Sequence, residues 1–178
     1  MNDITHTYRD FKYVDIPALR FIGVDAWLQK EEWMDLWSRK NDFLPRLETM
    51  DENLDPTFPY VCAFLHHDDG EINDHGEPNL VNRYLVGRFF KAGTPVPDGY
   101  SYRDLAPQTV GMAVYEKMTD IDDEFWQRYI TTRDLILSDG VTIPYPVGYW
   151  HAEVYLENTP LDALFNCAVL FACNKASV

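Results

Sequence analysis

The sequence predicts an α+β domain made of two related halves, and three observations lead to this prediction. The predicted elements run strand, helix, strand, strand in the first half of the chain and repeat that order in the second. The length of 178 residues, 46% of them hydrophobic, suits one domain with a full core. A shared offset of 89 residues (102 − 13, 126 − 37 and 149 − 60) relates Tyr13 to Tyr102, Trp37 to Trp126 and Tyr60 to Tyr149. We therefore expect one domain over residues 1–178, with halves at about residues 11–92 and 100–174.

The first half begins with a strand predicted at residues 11–24, bent at Pro17. A helix is predicted over residues 29–47, because apolar residues share one helical stripe between charged neighbours. The stripe consists of Trp33, Leu36, Trp37, Phe43, Leu44 and Leu47. Pro45 is poorly suited to a helix interior and is expected to mark the helix end. Two β-rich runs follow, at residues 58–66 and 80–90.

The second half repeats these elements after a Pro/Gly-rich crossover at residues 91–99. Its elements are a strand at 108–118, a helix at about 121–137, and strands at 148–156 and 164–173. The two units are expected to join their antiparallel sheets, with both helices covering one face. The opposite face, or the seam between the halves, then remains concave. A pocket between the halves follows from this pseudo-twofold arrangement.

The composition excludes some classes of partner. Fifteen basic and 29 acidic residues give a net charge of −14. Nucleic acids and anionic membrane surfaces both require a basic footprint, so we expect neither as a direct partner. The N-terminal residues lack the features of a signal peptide. Three cysteines in apolar runs, without metal or redox spacing, indicate buried thiols in a reducing compartment, and hence a cytoplasmic protein.

Neither a metal nor a cofactor is expected. The acidic segment at residues 66–75 contains three histidines, but His66 and His67 are adjacent and would point to opposite faces of a strand. The segment also lacks the alternating ligands of a calcium loop. We predict a solvated loop here. No Gly-rich phosphate loop, nucleophile elbow or zinc-protease helix motif occurs in the chain.

The strongest functional signal lies in residues 149–156. Alternation along a strand puts Tyr149, His151, Glu153 and Tyr155 on one face and ordinary core residues on the other. A carboxylate among aromatic rings suits a cationic or polarisable ligand, and it could also serve as a catalytic base or nucleophile. The ordinary alternative is a sheet face half-covered by a loop, with Glu153 paired to an arginine.

Five more aromatic residues are weaker candidates for the wall of this pocket. Tyr60 and Phe64 are spaced to share a strand face, and would be the contribution of the first half. Trp37 is first of all a core residue that could reach the pocket edge. Tyr84 and Tyr115 lie on two other predicted strands.

Six short motifs follow one another along the chain. They are Val14-Asp15-Ile16-Pro17-Ala18 with Ile22-Gly23, the helix bearing Trp37, Arg83-Tyr84-Leu85-Val86-Gly87, Val96-Pro97-Asp98-Gly99-Tyr100, Gly111-Met112-Ala113-Val114-Tyr115, and Glu153-Val154-Tyr155. In this order and spacing they resemble the GyrI-like, AraC-type effector-binding domain superfamily over residues 13–173. The resemblance implies a duplicated strand-helix-strand-strand fold with a pocket between the halves.

The resemblance also implies three possible functions. In members that sense drugs, a glutamate on this strand binds lipophilic cations among aromatic residues, and the motif match gives that role to Glu153. Other members look like hydrolases that use the corresponding carboxylate against electrophilic small molecules. A stand-alone group resembles the DNA gyrase inhibitor protein, whose partner is a protein.

The chain departs from the regulators of this superfamily in two places. Only about a dozen residues precede the first predicted strand, too few for a helix-turn-helix. The closing segment at residues 165–173 lacks the usual Ile-Pro ending, which affects the register of the last strand. We therefore predict a stand-alone protein that binds a lipophilic or cationic small molecule. A hydrolase using Glu153 and a protein-interaction module are the alternatives.

Overall fold

A computed structural model describes residues 7–67, 82–118, 122–145, 148–156 and 165–174. Eight strands form one antiparallel sheet, which together with few helices confirms the predicted α+β class. The strands are β1 (Thr7–Ile16), β2 (Leu19–Asp25), β3 (Cys62–His67), β4 (Asn82–Lys91), β5 (Ser101–Leu105), β6 (Gln108–Met118), β7 (Trp150–Tyr155) and β8 (Phe165–Cys173). Within the described ranges, no helix is long and apolar enough to cross a membrane.

The order of strands in the sheet reproduces the duplication of the sequence. From edge to edge it is β1-β6-β8-β7-β3-β4-β2-β5. Each strand of the first half has a counterpart in the second: β1 and β5, β2 and β6, β3 and β7, and β4 and β8. If the two members of every pair are exchanged, the strand order is the same as the original order read from the opposite edge. The seam between the halves is the central pair β3–β7. The predicted duplication with pseudo-twofold symmetry is confirmed by this topology.

Three strand predictions need correction. The strand predicted at 11–24 is two strands, because Pro17 has no backbone N–H to continue the ladder and the chain turns there. Strand β5 was not predicted, although its residues repeat those of β1. The strand predicted at 58–66 begins only at Cys62, because Asp55 holds a turn before it by accepting a bond from the backbone N–H of Thr57 (2.9 Å). The other predicted strands agree within two residues.

The helix predicted at 29–47 was wrong as one continuous element. It is three short helices, α1 (Ala26–Gln29), α2 (Trp33–Ser38) and α3 (Leu44–Glu48). Lys30 ends α1 in a left-handed conformation (φ 56°), and Pro45 lies in the first turn of α3, where no N–H is needed. Most of the predicted stripe is nevertheless buried against the sheet. The second helix, α4 (Asp122–Ser138), lies within one residue of its predicted range.

The two faces of the sheet are covered differently. One face carries a core cluster drawn from all eight strands, to which no described helix contributes. These strands can bury one another only if the sheet is curved. On this face lies a row of small or slender residues that permits the curvature: Gly23, Gly87, Cys62, Val154 and Ala168. The other face, called the helical face below, is covered by α1–α3 on the first half and by α4 on the second.

Candidate functional site

Strand β7 presents its side chains as the sequence predicted. Trp150, Ala152 and Val154 belong to the cluster on the curved face. Glu153 and Tyr155 lie on the helical face, where Tyr155 contacts the clusters of both halves. The candidate site is therefore at the seam, under the helices, and not on the opposite face of the sheet.

Glu153 stands alone among apolar residues in its row across the sheet. Its cross-strand neighbours are Ala63 on β3 and Val169 on β8. The row continues through Val86 and Val24 on one side and through Ala113 and Phe11 on the other. Glu153 is only 3% exposed. A carboxylate in such surroundings destabilises the fold by several kcal/mol unless partners compensate it.

The described partners of this carboxylate come from two different elements. Nη2 of Arg128, on α4, donates to Oε1 of Glu153 at 3.2 Å, and the side chains are 3% and 4% exposed. The hydroxyl of Tyr155 donates to Oε2 at 3.1 Å. The ordinary alternative, an arginine partner, is thus what the structure contains, although the arginine comes from a helix and not from a covering loop.

Arg128 is held in place through its backbone. Its carbonyl oxygen accepts bonds from the hydroxyls of Tyr115 (3.1 Å) and Thr132 (2.8 Å). Burial alone would lower the pKa of the Arg128 guanidinium, but the neighbouring Glu153 carboxylate outweighs it and the pKa is raised. Arg128 therefore stays charged beside Glu153.

Arg128 is the residue of the candidate site that the sequence analysis did not identify. Its signal was available, because Arg128, Thr132 and Ile136 are spaced by four residues and so share one stripe of α4. All three are buried. An arginine on the inward stripe of a helix predicts a buried anion opposite it, and Glu153 is that anion.

A second polar group lies on the same face of β7, on the side of the second half. The Tyr149 hydroxyl lies 2.9 Å from Nδ1 of His151 and 2.9 Å from the hydroxyl of Tyr129. The His151 ring stacks on Phe171 with a centroid distance of 5.3 Å. Burial raises the pKa of Tyr149 far above its ordinary value, so Tyr149 is protonated at neutral pH.

An aromatic path leads from the side of the first half to Glu153. The rings of Trp37 and Tyr155 meet edge to face at 5.0 Å, and Nε1 of Trp37 donates to the Tyr84 hydroxyl at 2.6 Å. The ring of Trp33, 44% exposed, lies 6.5 Å from that of Tyr84. Rings therefore extend continuously from the surface to the hydroxyl that bonds Glu153.

Solved structures of other proteins share this architecture. The chain is similar to SAV2435 bound to tetraphenylphosphonium, with a TM-score of 0.60 and 8% identity over 93% of this chain and 94% of that one. It is also similar to the EcmrR C-terminal domain (TM-score 0.53, 16% identity, 96% and 99% covered). The chain has the GyrI-like fold. The resemblance predicted from the motifs is confirmed at the level of the fold.

A further structure with the GyrI-like fold is a hydrolase encoded by lin2189 from Listeria innocua (TM-score 0.51, 9% identity, 94% and 93% covered). At sequence identities this low, the similarity to these structures shows a shared fold and does not show a shared ligand or reaction. No protein-family model matches the sequence, and no curated protein matches it.

Two predicted wall residues of this GyrI-like fold do not meet Glu153. Register pairs Ala63 with Glu153 and Phe64 with Ala152, so Phe64 lies on the curved face, fully buried. Tyr60 precedes β3 in a turn, with 36% of its surface exposed. Because the strand starts at Cys62, the two residues do not share a strand face as predicted. Tyr115 is on the helical face but acts beneath α4 through its bond to Arg128.

Metal ligands are not assembled in the part of the chain that the structure describes. No group of three His, Cys, Asp or Glu side chains converges there. His66 is buried on the curved face, near Phe64. The solvated loop predicted at 66–75 was wrong at its start, because His66 and His67 are the last residues of β3; residues 68–75 lie outside the described residues. All three cysteines are buried free thiols, and burial raises the pKa of Cys62.

Proposed function

We propose that the protein binds lipophilic organic cations at the seam of its two halves, with Glu153 as the anionic anchor. The observation that carries this proposal is a buried carboxylate within an otherwise apolar row, compensated by a cation and a phenol. A position that already stabilises one buried cation has the charge to stabilise another.

The rings around Glu153 support the same proposal. Tyr155 contacts both halves, while Trp37 and Tyr84 continue the aromatic wall on one side and His151 lies on the other. Aromatic faces attract organic cations through their quadrupoles, and more strongly where water is excluded. A GyrI-like structure holding tetraphenylphosphonium, the complex of SAV2435, supports a large aromatic cation as the first probe.

The proposal predicts that Glu153→Gln weakens the binding of tetraphenylphosphonium by about 1.5–3 kcal/mol, the usual contribution of a charged partner. This corresponds to a rise in Kd of about tenfold or more. Isothermal titration calorimetry measures it directly. Glu48→Gln is the matched control, because it removes one negative charge from an exposed position. Equal losses in both variants would mean that net charge, and not Glu153, attracts the cation.

A hydrolase is the second candidate, favoured by the Tyr155 hydroxyl at 3.1 Å from Glu153. In that function Glu153 would take a proton from water as the water oxygen bonds to an electrophilic carbon. Tyr155 would give a proton to the leaving group. Turnover of electrophilic small molecules that is lost in both Glu153→Gln and Tyr155→Phe would support it. If the protein binds these molecules without hydrolysing them, it is a small-molecule binding protein and not a hydrolase.

A protein partner is the third candidate, favoured by four exposed apolar side chains on α1 and α2. They are Trp27 (58%), Leu28 (57%), Trp33 (44%) and Met34 (60%). Trp33 also adjoins Tyr84 at the outer end of the aromatic path, so the patch borders the candidate ligand site. Met34→Lys distinguishes protein binding from cation binding. It would disrupt a protein interface and leave the binding of tetraphenylphosphonium unchanged.

A further inference from the structure

We infer that Arg128 occupies the place of the cationic ligand when the site is empty, and that it must leave Glu153 before a ligand binds. Arg128 is thus a tethered competitor that sets which cations the protein accepts. This inference rests on the proposed function of Glu153 as the anchor.

The geometry leaves no unused oxygen on the anchor. Arg128 takes Oε1 of Glu153 at 3.2 Å, and the Tyr155 hydroxyl takes Oε2 at 3.1 Å. Both members of the ion pair are nearly inaccessible, with 3% and 4% of their side chains exposed. A ligand cation therefore cannot approach the carboxylate while Arg128 stays in place.

The contact is of a kind that can be exchanged. Among the described contacts, Arg128 reaches the Glu153 carboxylate through Nη2, and not through the two-bond fork that makes arginine pairs strongest. The Arg128 backbone is fixed by Tyr115 and Thr132, and α4 is seated by Ile136, which lies where a side chain on Gly111 would be. We therefore expect exchange to occur by a rotamer change of the Arg128 side chain while α4 stays in place.

Competition by Arg128 gives the site selectivity. A small hydrated cation gains little from replacing a guanidinium that is already desolvated and paired. A large aromatic cation gains contacts with Trp37 and Tyr155 in addition to the charge. Arg128 therefore selects against small hydrated cations, because they cannot displace it from Glu153.

The test compares the wild type with Arg128→Lys, Arg128→Met and the double variant Arg128→Met/Glu153→Gln, using tetraphenylphosphonium at pH 8. Arg128→Met should bind the probe at least tenfold more tightly than the wild type, with Arg128→Lys between them. The double variant should lose the gain. Arg133→Met, which removes an exposed arginine from the same helix, is the matched control and should leave the affinity unchanged. Triphenylphosphine oxide, an uncharged probe, should bind all variants alike.

The outcomes separate this inference from the proposed function. Equal or weaker binding by a folded Arg128→Met protein overturns the competitor, and if wild-type binding still depends on Glu153 the proposed function stands. Should Arg128→Met not fold, Arg128→Lys decides in the same way. Tighter binding by Arg128→Met than by the wild type, lost again in the double variant, supports both claims. Saturable binding by no variant overturns both.

Discussion

At the scale of single residues, the candidate site consists of the buried Glu153 carboxylate with Arg128 and Tyr155 bonded to it. Period-two alternation sufficed to place Glu153 on one face with Tyr155. Arg128 is far away in sequence, and its inward orientation depends on how α4 rolls onto the sheet. Phe64 was misplaced because the register between β3 and β7, which pairs Ala63 and not Phe64 with Glu153, cannot be obtained from the sequence.

The buried pair predicts a non-additive effect on stability. Arg128→Met should lower the free energy of unfolding by about 3–5 kcal/mol, because it leaves a buried carboxylate without its counterion. Adding Glu153→Gln should restore much of that loss, since a neutral pair needs no counterion. Urea denaturation of the single and double variants measures the coupling. Additive losses would show that the two side chains do not interact in solution.

At the scale of elements, the second helix was predicted well and the first was not. Helix α4 runs without interruption through a segment that contains no proline. The first segment has an apolar stripe, but Lys30 and Pro45 divide it into short helices that still bury most of the stripe. Periodicity therefore predicted which side chains face the sheet better than it predicted the helical hydrogen bonds. Because Arg128 lies on α4, the packing of α4 against β6 determines where Arg128 lies relative to Glu153.

The contact between Ile136 of α4 and Gly111 of β6 predicts the effect of adding a methyl group to the sheet. A Cβ at Gly111 would lie 2.7 Å from Cδ1 and Cγ1 of Ile136. Gly111→Ala should therefore destabilise the protein by about 1–3 kcal/mol, as overpacked cores do. Thermal unfolding measures it, and Ile136→Ala in the same chain should remove most of the added cost. If Gly111→Ala costs as much in the Ile136→Ala background as in the wild type, the contact is not what seats the helix.

At the scale of the whole molecule, the duplication could be predicted from the sequence but the curvature of the sheet could not. Repeated element order was enough to indicate two halves and a seam. Curvature depends on a cross-strand row of small residues, and that row exists only once the register is known. For the same reason, the sequence left open whether the site lay at the seam or on the opposite face.

Gly87 belongs to the row of small residues on the curved face of the sheet, and we predict that it tolerates no side chain. A Cβ there would lie 2.0 Å from the backbone oxygen of Ile22 on the neighbouring strand. Gly87→Ala should cost about 3 kcal/mol or more. Gly93→Ala is the control, because Gly93 has open space around it and only a positive φ of 79°, a strain of about 1–2 kcal/mol. Similar melting temperatures for the two variants would argue against tight strand packing at Gly87.

The central claim, a cation site at Glu153 between the two halves, is tested most directly by a crystal structure of the protein with tetraphenylphosphonium. We expect the phosphonium among Tyr155, Trp37 and the Glu153 carboxylate, within about 6 Å of the ring centroids, and Arg128 turned away from Glu153. A ligand bound elsewhere, with the Arg128–Glu153 bond intact at its present 3.2 Å, would contradict the account.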